Sequence, residues 1–93
     1  MIGIAHAAGA FAGDKDVAAK IRDLDVLPRL RANRRVTLDF TGVEIATQSF
    51  VHTLLAAIVR DDPSTLDRID FKGCSDDVQQ VIEIVTEYAQ EEF

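Results

Sequence analysis

The sequence predicts a small α/β domain with a mainly parallel sheet of three to four strands and helices packed on it. One basis is the alternation of apolar and polar residues over 36–40, which is typical of a strand. A second is the helical spacing of apolar residues over 50–59, shortly afterwards. The third is the predicted order strand–helix–strand–helix–strand–helix, because strands joined by helical crossovers pair in parallel. A chain of 93 residues is expected to form a single domain over 1–93.

The first predicted strand covers 2–8, a short apolar segment rich in alanine and glycine, which are poor strand formers. A glycine-containing connector over 9–13 follows, and it lacks the lysine and hydroxyl residues of a phosphate-binding loop. The connector leads to a helix over about 15–24, for which Asp14 or Asp16 can supply the N-cap.

Pro28 interrupts the helical pattern, because proline has no N–H to bond the carbonyl four residues earlier. We expect a kink or a restart there, with a second short helix over about 26–32 and Asp25 as its cap. Asn33 can adopt the left-handed conformation that ends a helix. Four arginines lie in this region: Arg29, Arg31, Arg34 and Arg35. One interpretation is a patch that binds phosphate or nucleic acid. The interpretation we favour is that these cations gather at the helix C-terminus because they complement the negative end of its dipole.

The central segment, 35–60, is predicted to be a buried strand, a polar loop and a buried helix. Gly42 follows the strand and ends it, since glycine admits backbone angles that other residues avoid. Ser49 immediately precedes the first periodic apolar residue, so it is predicted to cap the helix. A further strand is expected over 66–71.

The last helix is expected to begin after Gly73, with Ser75 or Asp76 as its cap. Its predicted apolar stripe consists of Val78, Val81, Ile82, Val85, Tyr88 and Ala89. The segment 73–93 holds acids and no lysine or arginine: Asp76, Asp77, Glu83, Glu87, Glu91 and Glu92. This segment therefore predicts an acidic outer surface.

Charge is distributed unevenly along the chain. Over 20–35 six cations stand against two acids: Lys20, Arg22, Arg29, Arg31, Arg34 and Arg35 against Asp23 and Asp25. Opposed patches on one small surface can pair across a two-fold axis, each chain offering both. A small sheet also leaves apolar surface that one chain cannot readily cover. We therefore expect a homodimer to which charge contributes.

Composition excludes several functional classes. A net charge of −6 argues against nucleic acid as a partner, since phosphate binding relies on surplus Lys and Arg. The single Cys74 cannot form an intrachain disulfide, so a cytoplasmic location is expected. We find no long apolar stretch and no basic leader, and therefore expect no membrane segment. His6, His52 and Cys74 do not recur at ligand spacing, so we expect no metal and no cofactor.

The segment LDFTGVEIATQSFVHTLL resembles the signature of STAS-like domains, small relatives of the sulphate-transporter and anti-sigma-factor-antagonist fold. The matching residues are Leu38-Asp39-Phe40, Gly42-Val43 and Gln48-Ser49-Phe50, and the later Ile69-Asp70-Phe71-Lys72 resembles the next strand of that family. The resemblance implies a βαβαβα arrangement and a protein partner with a histidine-kinase-like ATP-binding fold. In anti-sigma-factor antagonists the same loop is phosphorylated on serine. Here Gln48 occupies that position and Phe50 replaces a glycine, so we expect no phosphorylation of the loop.

The candidate site lies in the loop and helix start over 39–53. Asp39 ends a parallel strand, where open α/β sheets commonly place their sites, but its carboxylate can equally hold the turn. Ser49 and His52 are one helical turn apart and could act as nucleophile and base, although a capping role for Ser49 is favoured. The expected partner-binding residues are Asp39, Thr47, Gln48, Ser49, His52 and Thr53.

Three functional hypotheses follow from these residues and from the family resemblance, which alone implies the kinase-like partner. The leading one is a non-enzymatic interaction module in bacterial-type signalling that binds a histidine-kinase-like ATPase through 39–53. The second is a small hydrolase or enzyme subunit that uses Asp39, Ser49 and His52. The third is a purely structural domain that assembles through its acidic last helix. A kinase-like ATPase in the neighbouring reading frame would favour the first.

Overall fold

Short strands alternate with helices throughout residues 1–91, the part of the chain that the computed structural model describes. The strands are β1 (Ile2–Gly3), β2 (Phe11–Ala12), β3 (Val36–Asp39), β4 (Ile45–Ala46) and β5 (Ile69–Lys72). The α-helical segments are α1 (Ile4–Ala8), α2 (Lys15–Ile21), α3 (Leu27–Arg31), α4 (Gln48–Val51), α5 (Ala57–Asp61) and α6 (Asp76–Glu91). A π turn over Arg22–Val26 joins α2 to α3, a second over His52–Ala56 joins α4 to α5, and a 3₁₀ helix over Pro63–Arg68 precedes β5.

The strands form two separate parallel sheets. In the main sheet the order is β1-β3-β5, and Leu38 stands between Ile2 and Phe71 on the neighbouring strands. The second sheet is the two-stranded pair β2-β4, in which Phe11 lies beside Ile45. The predicted α/β class with a mainly parallel sheet and packed helices is confirmed.

One face of the main sheet carries the core. Val36 and Leu38 on β3 and Ile69 on β5 are buried under the helices, as the alternation of a strand requires. The helix formed by α4, its π turn and α5 contacts both α2 and α6. Phe50, Val51, Leu54, Leu55 and Val59 from that helix have no exposed surface. The buried strand and the buried helix that the sequence pattern over 35–60 predicts are therefore confirmed.

The other face of the main sheet is polar and open. Thr37 and Asp39 on β3 are partly exposed, and Asp70 and Lys72 on β5 are exposed. Thr37 lies beside Asp70, and Asp39 beside Lys72. Arg35 reaches over this face and donates two hydrogen bonds to the Asp70 carboxylate, at 2.9 and 3.1 Å. Because these groups are hydrated or paired, the face is stable without a second helical layer.

The N-terminal segment differs from the sequence prediction. Only Ile2 and Gly3 form a strand, whereas residues 4–8 form α1, so the predicted strand over 2–8 is wrong beyond its first two residues. Alanine has the highest helix propensity, and three of these five residues are alanine. The predicted connector contains β2, which pairs with β4 far along the chain. Local sequence does not reveal such a pairing.

Residues 15–31 form one continuous helix with a π turn, so the predicted separate helices are wrong. Asp14 caps it by accepting a hydrogen bond from the N–H of Asp16 at 2.8 Å, whereas Asp25 lies inside the π turn and caps nothing. The N–H of Leu27 bonds the carbonyl of Arg22, five residues back. This wider turn places Pro28 in the first turn of α3, where a missing N–H costs little.

The helix ends as predicted. Asn33 adopts a left-handed conformation, with φ of 60°, after the last turn of α3. The final strand is shorter than expected, because residues 66–68 belong to the 3₁₀ helix and β5 begins at Ile69. Ser75 accepts a hydrogen bond from the N–H of Val78 at 3.2 Å, so it is the cap of the last helix.

Candidate functional site

A groove of about 620 Å³ lies between the start of the central helix and the second half of α6. Its lining residues are Lys15, Gln48, Ser49, His52, Thr53, Ile84, Val85 and Tyr88. One wall is polar and comes from α4 and its π turn. The other is apolar and comes from α6, and Lys15 at the start of α2 completes the lining. Four of the six residues predicted to bind a partner are thus brought together here.

The polar wall is positioned by a helix cap and by burial of the opposite helix face. The Thr47 hydroxyl accepts a hydrogen bond from the N–H of Phe50 at 3.1 Å, which makes Thr47 the N-cap of α4. Phe50 and Val51 are fully buried. Because that side of the helix faces the core, Ser49 and His52 on the other side are exposed.

The prediction that Ser49 caps the central helix is wrong. The helix begins at Gln48, so Ser49 lies inside its first turn with an exposed side chain. Thr47 is the cap because the chain is still extended where it leaves β4, with φ of −75° and ψ of 155° at Thr47. Pairing of β4 with β2 fixes that geometry and could not be inferred from the local pattern.

Thr53 ties the polar wall to the neighbouring helix. The guanidinium of Arg22 donates a hydrogen bond to the Thr53 carbonyl at 3.0 Å. It also bonds the carboxylate of Asp23 at 2.9 Å, which raises the pKa of Arg22. The two π turns are therefore joined through one cation, and this contact fixes the wall of the groove against α2.

The apolar wall exposes side chains that would normally be buried. Ile84 is 47% exposed and Tyr88 is 60% exposed, whereas Val85 between them is buried. The sequence analysis assigned Tyr88 to the apolar stripe of the last helix and did not single out Ile84. The feature of the sequence that could have revealed this wall is the width of the apolar stripe. Ile84 and Tyr88 are one helical turn apart and form a second row beside the buried row, which consists of Val78, Ile82, Val85 and Ala89.

Asp39 stands apart from the groove and holds a turn. Its carboxylate accepts hydrogen bonds from the N–H of Thr41 at 2.9 Å and from the Thr41 hydroxyl at 2.6 Å. These bonds, with a smaller contribution from Lys72, lower the pKa of Asp39. Gly73 has φ of +70°, and a Cβ there would collide with the Thr41 hydroxyl and backbone. The turn-holding interpretation of Asp39 thus has direct geometric support.

The constellation expected of a hydrolase is not assembled. Asp39 does not line the groove that contains Ser49 and His52. Within residues 1–91 no hydrogen bond connects any two of these three side chains. A nucleophile is activated by a base within hydrogen-bond reach, which in turn is oriented by a third group. The arrangement therefore offers hydrogen-bonding groups and apolar surface rather than an activated nucleophile.

No group of three or more His, Cys, Asp or Glu side chains that could hold a metal ion occurs in the described part of the chain. Among the same residues, no helix has both the length and the apolar character needed to cross a membrane. Within residues 1–91 no acidic residue lines the groove, although Glu87, next to Tyr88 in sequence, is exposed on α6. Lys15 is the one cation among the residues that line the groove.

Comparison with known proteins identifies the family. The family model described as "STAS-like domain of unknown function (DUF4325)" matches residues 17–79, and the chain belongs to this family. The match runs from α2 to the first turn of α6, so it includes the polar wall of the groove but not Ile84 or Tyr88. No curated protein and no solved structure matches the chain.

Proposed function

We propose that this STAS-like domain is a non-enzymatic interaction module in bacterial-type signalling, and that it binds a protein partner through the groove between α4 and α6. The observation that carries the proposal is the pairing of two exposed walls. Ser49 and His52 offer hydrogen-bonding groups on one side, and Ile84 and Tyr88 offer apolar surface on the other. Protein interfaces combine these two components, with aromatic side chains enriched at their centres.

The expected binding residues divide by role. Gln48, Ser49, His52 and Thr53 would contact the partner directly, since they line the groove. Thr47 would act by holding the start of α4. Asp39 would shape the neighbouring turn, because its carboxylate is occupied by Thr41.

The partner we propose is a protein with a histidine-kinase-like ATP-binding fold. This assignment rests on the resemblance of 38–55 to the signature of STAS-like domains. A docking role does not require phosphorylation of the loop, because the groove is lined by side chains that bind without covalent modification. The hydrolase alternative is less well supported, since Asp39 lies outside the groove.

Titration calorimetry with a purified histidine-kinase-like ATPase from the same host tests the proposal. Ser49→Arg places a long charged side chain in the groove and should abolish binding. Gln80→Arg is the matched control, because Gln80 is exposed on α6 but does not line the groove. Both variants should melt like the wild type. Binding that survives Ser49→Arg, or that is lost equally in Gln80→Arg, would contradict a site in the groove.

A further inference from the structure

We propose that this domain binds a small aliphatic monocarboxylate in a second cavity, and that Arg29 holds the carboxylate of that ligand. This edge cavity has a volume of about 350 Å³ and lies between the helix over 15–31 and residues 1–7. Its lining residues are Met1, Ile2, Gly3, His6, Ala7, Ile21, Asp25 and Arg29. None of these residues lines the groove between α4 and α6, so the site is independent of the docking function.

Two neighbouring parts of the fold form the walls of the edge cavity. Ile21, Asp25 and Arg29 are spaced by four residues, so they lie in one row along the helix over 15–31. The other wall comes from β1, which is an edge strand of the main sheet, and from α1, which follows it directly. The row on the helix puts two charged side chains beside the buried Ile2 and Ile21. The cavity therefore combines apolar surface with a few polar groups, as small-molecule sites do.

The guanidinium of Arg29 has a buried hydrogen-bond donor that the fold does not use. Its Nη1 atom is buried and has no hydrogen-bond partner within residues 1–91. Arg29 forms no ion pair within the same range, although Asp25 lies one helical turn away. A buried donor left without an acceptor destabilises a protein, and more so when the group is charged. This guanidinium is therefore suited to bind an anion rather than to hold the fold together.

The other groups in the cavity determine which class of anion fits. A guanidinium presents two parallel N–H groups that match the two oxygens of a carboxylate. The carboxylate of Asp25 also lines the cavity, and its charge repels a dianion such as phosphate more than a singly charged ligand. Ile2, Ala7 and Ile21 offer apolar surface for a short hydrocarbon tail. The volume is near the lower end of the range for ligand sites, about 300–1,000 Å³, so the acid is small.

The four arginines over 29–35 are too widely separated to bind a polyanion together. Arg35 reaches over the open face of the main sheet and bonds the Asp70 carboxylate. Arg31 lines a different cleft, beside α5, whereas Arg29 lines the edge cavity. Binding of nucleic acid relies on several cations that contact successive phosphates on one surface. The separation of these arginines therefore favours a small ligand at Arg29.

Titration of the labelled protein with butanoate tests the assignment. Amide chemical shifts report both where the ligand binds and its dissociation constant. Butanoate should perturb residues 1–7 and 21–29 and should approach saturation by about 10 mM. Butylammonium has the same hydrocarbon tail with the opposite charge, so it should not bind. Inorganic phosphate should bind about tenfold more weakly than butanoate, because Asp25 repels its second charge.

Two substitutions of arginine separate a local contact from general attraction. Arg29→Met removes the guanidinium and keeps a flexible apolar side chain, so it should weaken butanoate roughly 10- to 100-fold. Arg34→Met is the matched control, since Arg34 is exposed and does not line the cavity. It should change the affinity less than about twofold. Because Nη1 of Arg29 makes no internal hydrogen bond, Arg29→Met should melt at or above the Tm of the wild type.

Several results would overturn the carboxylate site. In the titrations these are no saturable binding of butanoate, equal binding of butylammonium or phosphate, and perturbations that lie outside the edge cavity. In the variants these are an unchanged affinity of Arg29→Met, an equal loss in Arg34→Met, and a Tm of Arg29→Met below that of the wild type, which would show that Arg29 supports the fold. None of these results bears on the docking function, which Ser49→Arg tests on a different surface.

Discussion

Thr47 and Ser49 provide a direct test of how the polar wall of the groove is built. Thr47→Ala removes the hydroxyl that accepts the hydrogen bond from the N–H of Phe50, at 3.1 Å. Ser49→Ala removes an exposed hydroxyl inside the first turn of α4. The two substitutions delete similar groups two residues apart, so they differ mainly in whether a cap is lost.

The two substitutions are expected to have different effects on the free energy of unfolding, because only Thr47→Ala should lower it. Loss of a threonine cap destabilises a protein by about 1 kcal/mol, within a range of about 0.5–2 kcal/mol. Alanine is a better helix former than serine, so Ser49→Ala should be neutral or stabilise by a few tenths of a kcal/mol, roughly. Unfolding entropies of about 2.1 cal/mol/K per residue convert 1 kcal/mol into about 5 °C for 93 residues.

Thermal unfolding followed by circular dichroism measures both variants under identical conditions. Thr47→Ala should lower Tm by about 5 °C, while Ser49→Ala should leave it unchanged or slightly raised. A denaturant titration checks that the slope of the free energy of unfolding is preserved. Equal losses in the two variants, or a larger loss in Ser49→Ala, would refute the assignment of Thr47 as the cap.

Three further predictions concern acid stability, phosphorylation and assembly. The folded-state pKa of Asp39 is lowered, chiefly by the Thr41 hydroxyl, so the ionised carboxylate stabilises the fold above about pH 4 and this stabilisation is lost as the pH falls further. Asp39→Asn should therefore flatten the dependence of Tm on pH below about pH 4. An unchanged dependence in the variant would contradict this prediction. Incubation with the proposed kinase-like partner and ATP should leave the intact mass unchanged, because Gln48 occupies the phosphoacceptor position that the family resemblance implies; a phosphate mapped to Thr47 or Ser49 would be the contrary result. The predicted homodimer should sediment as such at low salt, weaken at high salt and weaken in Leu24→Glu, whereas a monomer at tens of micromolar under both salt conditions would exclude it.

The central unit was predictable because local and global requirements agree there. Val36 and Leu38 alternate with polar residues, and only one face of β3 is covered by helices. The apolar rows over 50–59 are long enough to define a buried helix. Where strand and helix periods are each satisfied over several residues, the pattern has few competing interpretations.

The errors arose where long-range contacts decide the local structure. Strands β2 and β4 have two residues each, too few for a period, and they exist because they pair with one another. That pairing moved the helix start to Gln48 and the cap to Thr47. At Pro28 a single-residue rule predicted a break, but the π turn over Arg22–Val26 accommodates the ring within a continuous helix.

The candidate site was predictable in its polar half only. Gln48, Ser49, His52 and Thr53 follow the strand that resembles the family signature, so sequence position alone suggested them. Ile84 and Tyr88 belong to an apolar stripe whose outer row is left uncovered. Whether such a row is buried depends on the position of the neighbouring helix, and the sequence of α6 does not contain that information.

Mapping of the ATPase interface by amide chemical shifts is the most direct test of the proposed docking site. The labelled domain would be titrated with the purified ATPase that we propose as its partner. Perturbations should concentrate at 48–53 and 84–88, the two walls of the groove, and be weak on the open sheet face that carries Thr37 and Asp70. Perturbations that centre on that open face and spare both walls would contradict docking in the groove.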